Sequence, residues 1–304
     1  MSRPVTICIV APSGALVDET GLAKAKAFFA QRNINVIVPE AVLAKQQRFA
    51  GDDDLRLAAL HEAARRDDVD IVMAARGGYG LSRLLDRIDY DLLAESKKIF
   101  VGHSDFTALL LALYAKRSVV TFAGPNAAYD FDADAPSNYT AENFFRVLQS
   151  SQANIAVTAA NPYDFTTGGT LWGGNLALVA ALVGTPYLPD IANGILFLED
   201  INEHPYRIER MLYQLFHAGI LQGQRAILLG DFSGYQLYEN DGGYDLLSIV
   251  DHFRARLAVP IVTGLPFGHI RHKLTLPIGG RCELTIAAQE FKLTLSSYPV
   301  LPNN

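Results

Sequence analysis

Four short apolar runs alternate with helix-like stretches in the first third of the chain, and this alternation limits the fold more than any other feature. Residues 5–11, 35–39, 70–75 and 99–101 read as strands. The first is a continuous, β-branched run rather than an in–out alternation, which is the pattern of a strand buried on both faces. Residues 22–31 and 52–66 read as helices between them. The second of these opens on Asp52, Asp53 and Asp54 and closes on Arg65 and Arg66, as the helix dipole favours. Such strand–helix repeats predict a parallel α/β sheet with right-handed crossovers. Sites in these sheets form from loops at the carboxyl ends of the strands.

From 127 to 164 the periodicity weakens, apart from a helix-like stretch at 140–148. The 304 residues therefore divide into an expected α/β domain at 1–130, a connection at 131–164 and a second domain at 165–304. In the second, 194–200, 226–232 and 260–264 read as strands, and 176–183, 204–220 and 244–257 as helices. A terminal hairpin is expected at 281–296, where Cys282, Leu284 and Ile286 and then Phe291, Leu293 and Leu295 alternate.

Several function classes are disfavoured early. Net charge is −6 with no basic cluster, which argues against nucleic acid and anionic membrane as partners. Cys8 and Cys282, the two cysteines, each lie in an apolar run, as buried inert thiols do. The longest uncharged segment, 165–189, is broken by glycines and Pro186, and its continuous apolar part is too short to span a bilayer. The first residues lack a signal-peptide pattern, so a cytoplasmic location is expected. There is no G-x-G-x-x-G directly after a strand and no Walker-type loop. His269 and His272 could clamp a metal, but no third-ligand spacing supports it.

The chemistry-bearing stretch is Gly102-His103-Ser104-Asp105, set between the strand at 99–101 and a helix at 105–114. A hydroxyl at so tight a strand-to-helix bend stands clear of the backbone and faces free N–H groups. Ser104 is thus either a nucleophile or an ordinary N-cap. Strand alternation would turn the neighbouring His103 to the opposite side. For a base, His269 closes the strand exit Gly264-Leu-Pro-Phe-Gly-His269, and His272 in the same loop is its rival. For an orienting carboxylate, Glu199 and Asp200 end an apolar strand, and alternation lets only one face the base. The loop Arg76-Gly-Gly-Tyr-Gly80 reads as an oxyanion cradle or as a plain tight turn.

Together, Arg76-Gly-Gly-Tyr-Gly80, Gly102-His-Ser-Asp-Phe-Thr107, Gly169-Thr-Leu-Trp-Gly-Gly-Asn-Leu176, Leu198-Glu-Asp-Ile-Asn-Glu-His-Pro205 and Phe267-Gly-His269 resemble the LD-carboxypeptidases, serine peptidases also called muramoyltetrapeptide carboxypeptidases. The resemblance implies a Ser104–His269–Glu199 triad and an oxyanion hole from the amides of Gly77 and Asp105. It implies an N-terminal α/β domain resembling class I amidotransferases and a C-terminal α+β domain with a β-barrel-like core. It further implies a homodimer without metal or other cofactor that releases the terminal D-alanine from murein tetrapeptides during peptidoglycan recycling. Arg76, Arg207 and Arg271, in or near the motif loops, are the candidates for holding the peptide's carboxylate. Two rivals stand beside this reading. One is a microcin-immunity peptidase that cleaves a peptidyl-nucleotide amide on the same scaffold; the other is a non-catalytic two-lobed binding protein.

Overall fold

The computed structural model describes residues 3–131 and 139–301. Its strands are β1 (Thr6–Val10), β2 (Asn35–Ile37), β3 (Ile71–Ala74), β4 (Ile99–Gly102), β5 (Thr121–Ala123), β6 (Gln152–Thr158), β7 (Phe165–Asn175), β8 (Ile195–Ile201), β9 (Ala226–Ser233), β10 (Ile261–Thr263), β11 (Leu276–Ile278), β12 (Arg281–Ala287) and β13 (Glu290–Ser296). The helices are α1 (Thr20–Ala30), α2 (Asp53–Arg65), α3 (Tyr90–Glu95), α4 (Thr107–Arg117), α5 (Ala127–Asp130), α6 (Tyr139–Gln149), α7 (Leu176–Ala181), α8 (Pro205–His217) and α9 (Leu246–Arg256).

Two sheets result. The first runs β11-β5-β4-β3-β1-β2 and is parallel except for β11, which lies antiparallel on β5. Strands β1, β3 and β4 are buried along their whole length, in keeping with helices packed on both faces. The second runs β10-β9-β8-β7-β12-β13-β6. Strand β7 is its pivot: residues 165–170 pair antiparallel with β12, and 171–175 pair parallel with β8. Residues 152–158, inside the stretch expected to be a connection, belong to this sheet as an edge strand.

The second sheet curls without closing. Asn161, just beyond β6, accepts from the Thr263 amide of β10 at 3.0 Å and donates back at 3.4 Å, yet no backbone ladder joins β6 to β10 among the described residues. The barrel-like core is therefore an open sheet.

Helix α4 lies at the junction of the two halves. The sequence pattern places one apolar face on it, but Thr107 to Leu113 are all buried, because strand β7 and helix α7 cover the side that would otherwise face solvent. Thr107 Oγ1 accepts from the Asn175 amide at 3.2 Å, fastening the start of α4 to the end of β7.

Candidate active site

Ser104 sits at the bend between β4 and α4, as the first residue of a one-turn 3₁₀ segment, Ser104–Phe106. Its φ is 61°, in the left-handed region that a residue with a side chain occupies only at a cost. The cap positions of the 3₁₀ turn and of α4 are His103 and Phe106, and neither makes a side-chain cap bond. Ser104 is thus not an N-cap. Its hydroxyl faces the glycine loop after β3. A side-chain carbon on Gly77 would fall 2.6 Å from Ser104 Oγ and 3.3 Å from the Asp105 amide nitrogen. Only glycine at 77 leaves that hydroxyl and that amide open to one shared point.

The second half delivers an imidazole and a carboxylate. His269 Nδ1 lies 2.8 Å from Oε2 of Glu199, whose residue is wholly buried. A carboxylate only accepts, so this contact puts the ring proton on Nδ1 and leaves Nε2 as an acceptor. Asn175 Nδ2 donates to the other Glu199 oxygen at 3.2 Å. Gly268 permits the approach: its φ is 139°, and a side chain there would meet Glu199 Oε2 at 3.2 Å.

The choice between the two acids of β8 is settled by a register shift between Leu198 and Asp200. Glu199 turns to the imidazole. Asp200 turns to Asn175 Nδ2 and to the amides of Ile201 and Ala177, each at 2.9 Å. Burial still pushes the Asp200 carboxyl up to about 6. Asn175 therefore spans both acids, a role carried in sequence only by its place in the Gly-Gly-Asn motif.

His103 departs from expectation. Its ring is not on the far side of the strand but 5.1 Å from the ring of His269, edge-on at 71°. Alternation holds only for extended neighbours, and the left-handed Ser104 ends it. His103 Nδ1 donates to the Gly124 carbonyl at 2.9 Å, and Nε2 faces Lys273 Nζ at 3.4 Å. Burial, reinforced by the Lys273 charge and by His269, pushes this imidazole well below its ordinary value, so it stays neutral. Lys273 itself is paired with Asp130 at 2.7 Å. Sequence reasoning missed Lys273 and Asp130; nothing in the local pattern marks either. His272, the rival base, lies exposed beside the ring of Tyr139.

Ser104 and His269 line one cavity of about 620 Å³, with Gly77, Arg76, Arg271 and Lys273 also on its wall. Asp130 is the one carboxylate among its described lining residues. Arg207 is elsewhere, exposed on α8 and 3.7 Å from Glu203. Among the described residues no group of three or more His, Cys, Asp or Glu side chains could hold a metal ion. No helix among them is long and apolar enough to cross a membrane. A strained hydroxyl near the Asp105 amide, and an imidazole backed by a buried carboxylate, are parts that acyl transfer through serine uses.

Comparison with known proteins identifies the family. Residues 7–124 match the family described as the LD-carboxypeptidase N-terminal domain, and residues 168–284 the LD-carboxypeptidase C-terminal domain. The chain is 32% identical over 290 residues to a probable murein peptide carboxypeptidase of Bacillus subtilis, covering 94% of this chain and 91% of that one. The crystal structure of a muramoyltetrapeptide carboxypeptidase from Oxalobacter formigenes superposes with a TM-score of 0.91 at 43% identity, covering 97% of this chain and 100% of the other. The microcin C7 self-immunity protein MccF of Escherichia coli is 27% identical over 274 residues, with 79% and 78% of the two chains covered.

Proposed function

The chain belongs to the LD-carboxypeptidase family, and from that premise we propose that it hydrolyses the bond between the L-centre of meso-diaminopimelate (or L-lysine) and the terminal D-alanine of murein tetrapeptides. We place it, as a homodimer without cofactor, in cytoplasmic peptidoglycan recycling. The observation that carries the reading is the 2.8 Å contact between His269 Nδ1 and buried Glu199, on the cavity that Ser104 also lines.

In the proposed reaction His269 Nε2 takes the proton of Ser104 Oγ as the oxygen attacks the carbonyl of the L-residue. Glu199 keeps the imidazole in the competent tautomer and stabilises its cation. The oxyanion is received by the amides of Gly77 and Asp105, and removal of one such donor costs about 100- to 1000-fold in rate. His269 then protonates the nitrogen of the departing D-alanine. Water, deprotonated by the same ring, attacks the acyl-enzyme and returns Ser104 to its starting state.

Chromatography of a murein tetrapeptide incubated with the protein tests this. Release of D-alanine and tripeptide by the wild type, with a loss of about 10⁴-fold or more in Ser104→Ala, is the expected result. Full function in Ser104→Ala would leave only a binding role. Cleavage of a peptidyl-nucleotide amide without D-alanine release would favour the MccF-type activity, which the likeness to that protein supports as second reading.

A further inference from the structure

An enzyme that removes one terminal residue must neutralise a free carboxylate on the leaving side of the bond it cuts. We propose that Arg76 is that anchor and so sets the preference for a chain end, a proposal that rests on the peptidase reading above.

Four cations compete for the role, and their surroundings separate them. Arg207 is off the cavity wall and shares its charge with Glu203. Lys273 lines the cavity, but its side chain is only 3% exposed and its charge is already matched by Asp130. Arg271 lines the cavity from an exposed position, where water weakens any ion pair. Arg76 is half-buried and makes no ion pair among the described residues. One terminal nitrogen donates to the Ala15 carbonyl at 2.8 Å, and its Nε is buried without a hydrogen-bond partner among the described residues. A buried guanidinium N–H without an acceptor is costly, and a carboxylate satisfies the fork of the guanidinium with two parallel bonds.

Position agrees with chemistry. Arg76 immediately precedes Gly77, the residue that abuts Ser104. The cation and the proposed oxyanion donor are on adjacent residues, as the scissile carbonyl and the terminal carboxylate are in the substrate. The bond to Ala15 already holds the side chain in place, so little of its freedom is lost when substrate arrives. The cavity opposes the charge of the chain as a whole. Among the described residues its wall carries three cations against one carboxylate, in a protein of net charge −6.

The test compares kcat/KM for a murein tetrapeptide ending in D-alanine with that for the same peptide ending in D-alaninamide. The wild type should prefer the free acid by about 100-fold, the worth of a charge-assisted hydrogen-bonded contact. Arg76→Met should lose that preference, its kcat/KM falling about 100-fold more on the acid than on the amide. Arg76→Lys should keep part of it, and thermal melting confirms that each variant is folded. An acid-to-amide ratio unchanged in both Arg76 variants, or one that collapses in Arg271→Met instead, overturns the anchor while leaving the peptidase reading intact. Failure of the wild type on both peptides overturns that reading and the anchor with it.

Discussion

The hydroxyl of Ser13 donates to the carboxylate of Asp105 at 2.6 Å, joining the loop after β1 to the turn that carries the strained serine. The same Asp105 oxygen accepts from the Leu81 amide at 2.9 Å, so three loops of the first sheet meet on one atom. Asp105 is almost wholly buried, its other oxygen has no partner among the described residues, and burial raises its pKa. The side chain therefore sets where its own amide stands relative to Gly77. Ser13→Ala should lower kcat about 10- to 100-fold with KM nearly unchanged, since a small displacement of a catalytic group costs that much. Steady-state kinetics check this; an unaltered kcat would show that the fastening has no part in the reaction.

Glu199→Gln should keep the fold and lower kcat by about 10⁴-fold. An amide facing His269 can offer its nitrogen to Nδ1, and the ring then carries its proton on Nε2, where it cannot receive one from Ser104. Nitrogen NMR of the imidazole reports the tautomer directly. A variant that still protonates Nδ1 and still turns over would break the link from carboxylate to base.

Lys273→Met should destabilise the protein by about 3–5 kcal/mol, because it strands the buried carboxylate of Asp130. Asp130 would retain the Asn126 amide at 2.7 Å as partner. Adding Asp130→Asn should restore most of the loss. Denaturant unfolding of both variants decides the matter, and additive losses in the double variant would contradict the pairing.

Asp200 gives stability a pH signature. Burial raises its pKa from the ordinary 3.8 to about 6, so between those values the folded chain binds a proton that the unfolded chain has released. Stability tied to this group is therefore full below the unfolded value and declines as pH rises through the folded one. Relative to Asp200→Asn, the wild type should lose about 3 kcal/mol across that window. A flat difference between the two unfolding curves would exclude the assignment.

What the sequence made legible follows from what physical chemistry writes locally. Strands β1, β3, β4, β8 and β9 are continuous apolar runs because helices or other strands cover them, and each stands where its run predicts. Strand β7 escaped notice because its pairing demands small residues. Gly173 packs so close to the Phe197 carbonyl that a side-chain carbon there would lie 1.9 Å from its oxygen. Strand β6 does alternate, with Ala153, Ile155 and Val157 inward, but alanine weakens the signal. Strands β5 and β11 are three residues each, as short as β2 and β10, but were not read from the sequence. At the site, Ser104 was marked by a bend that local sequence encodes. The choice of Glu199 over Asp200 and the inward turn of His103 depend on a register shift and a left-handed φ, which no spacing reveals.

Strand β11 sews the last third of the chain onto the edge of the first sheet, and His269 rides on the short strap between it and β10 of the second sheet. A bridge pinned at both banks cannot swing. Cutting the polypeptide past residue 264 would remove more than the imidazole: it would bare the flank of β5, an unpaired border of the kind that recruits stray strands. Neither portion should survive as a well-behaved fragment, and mixing the two should not restore what their continuous backbone provides.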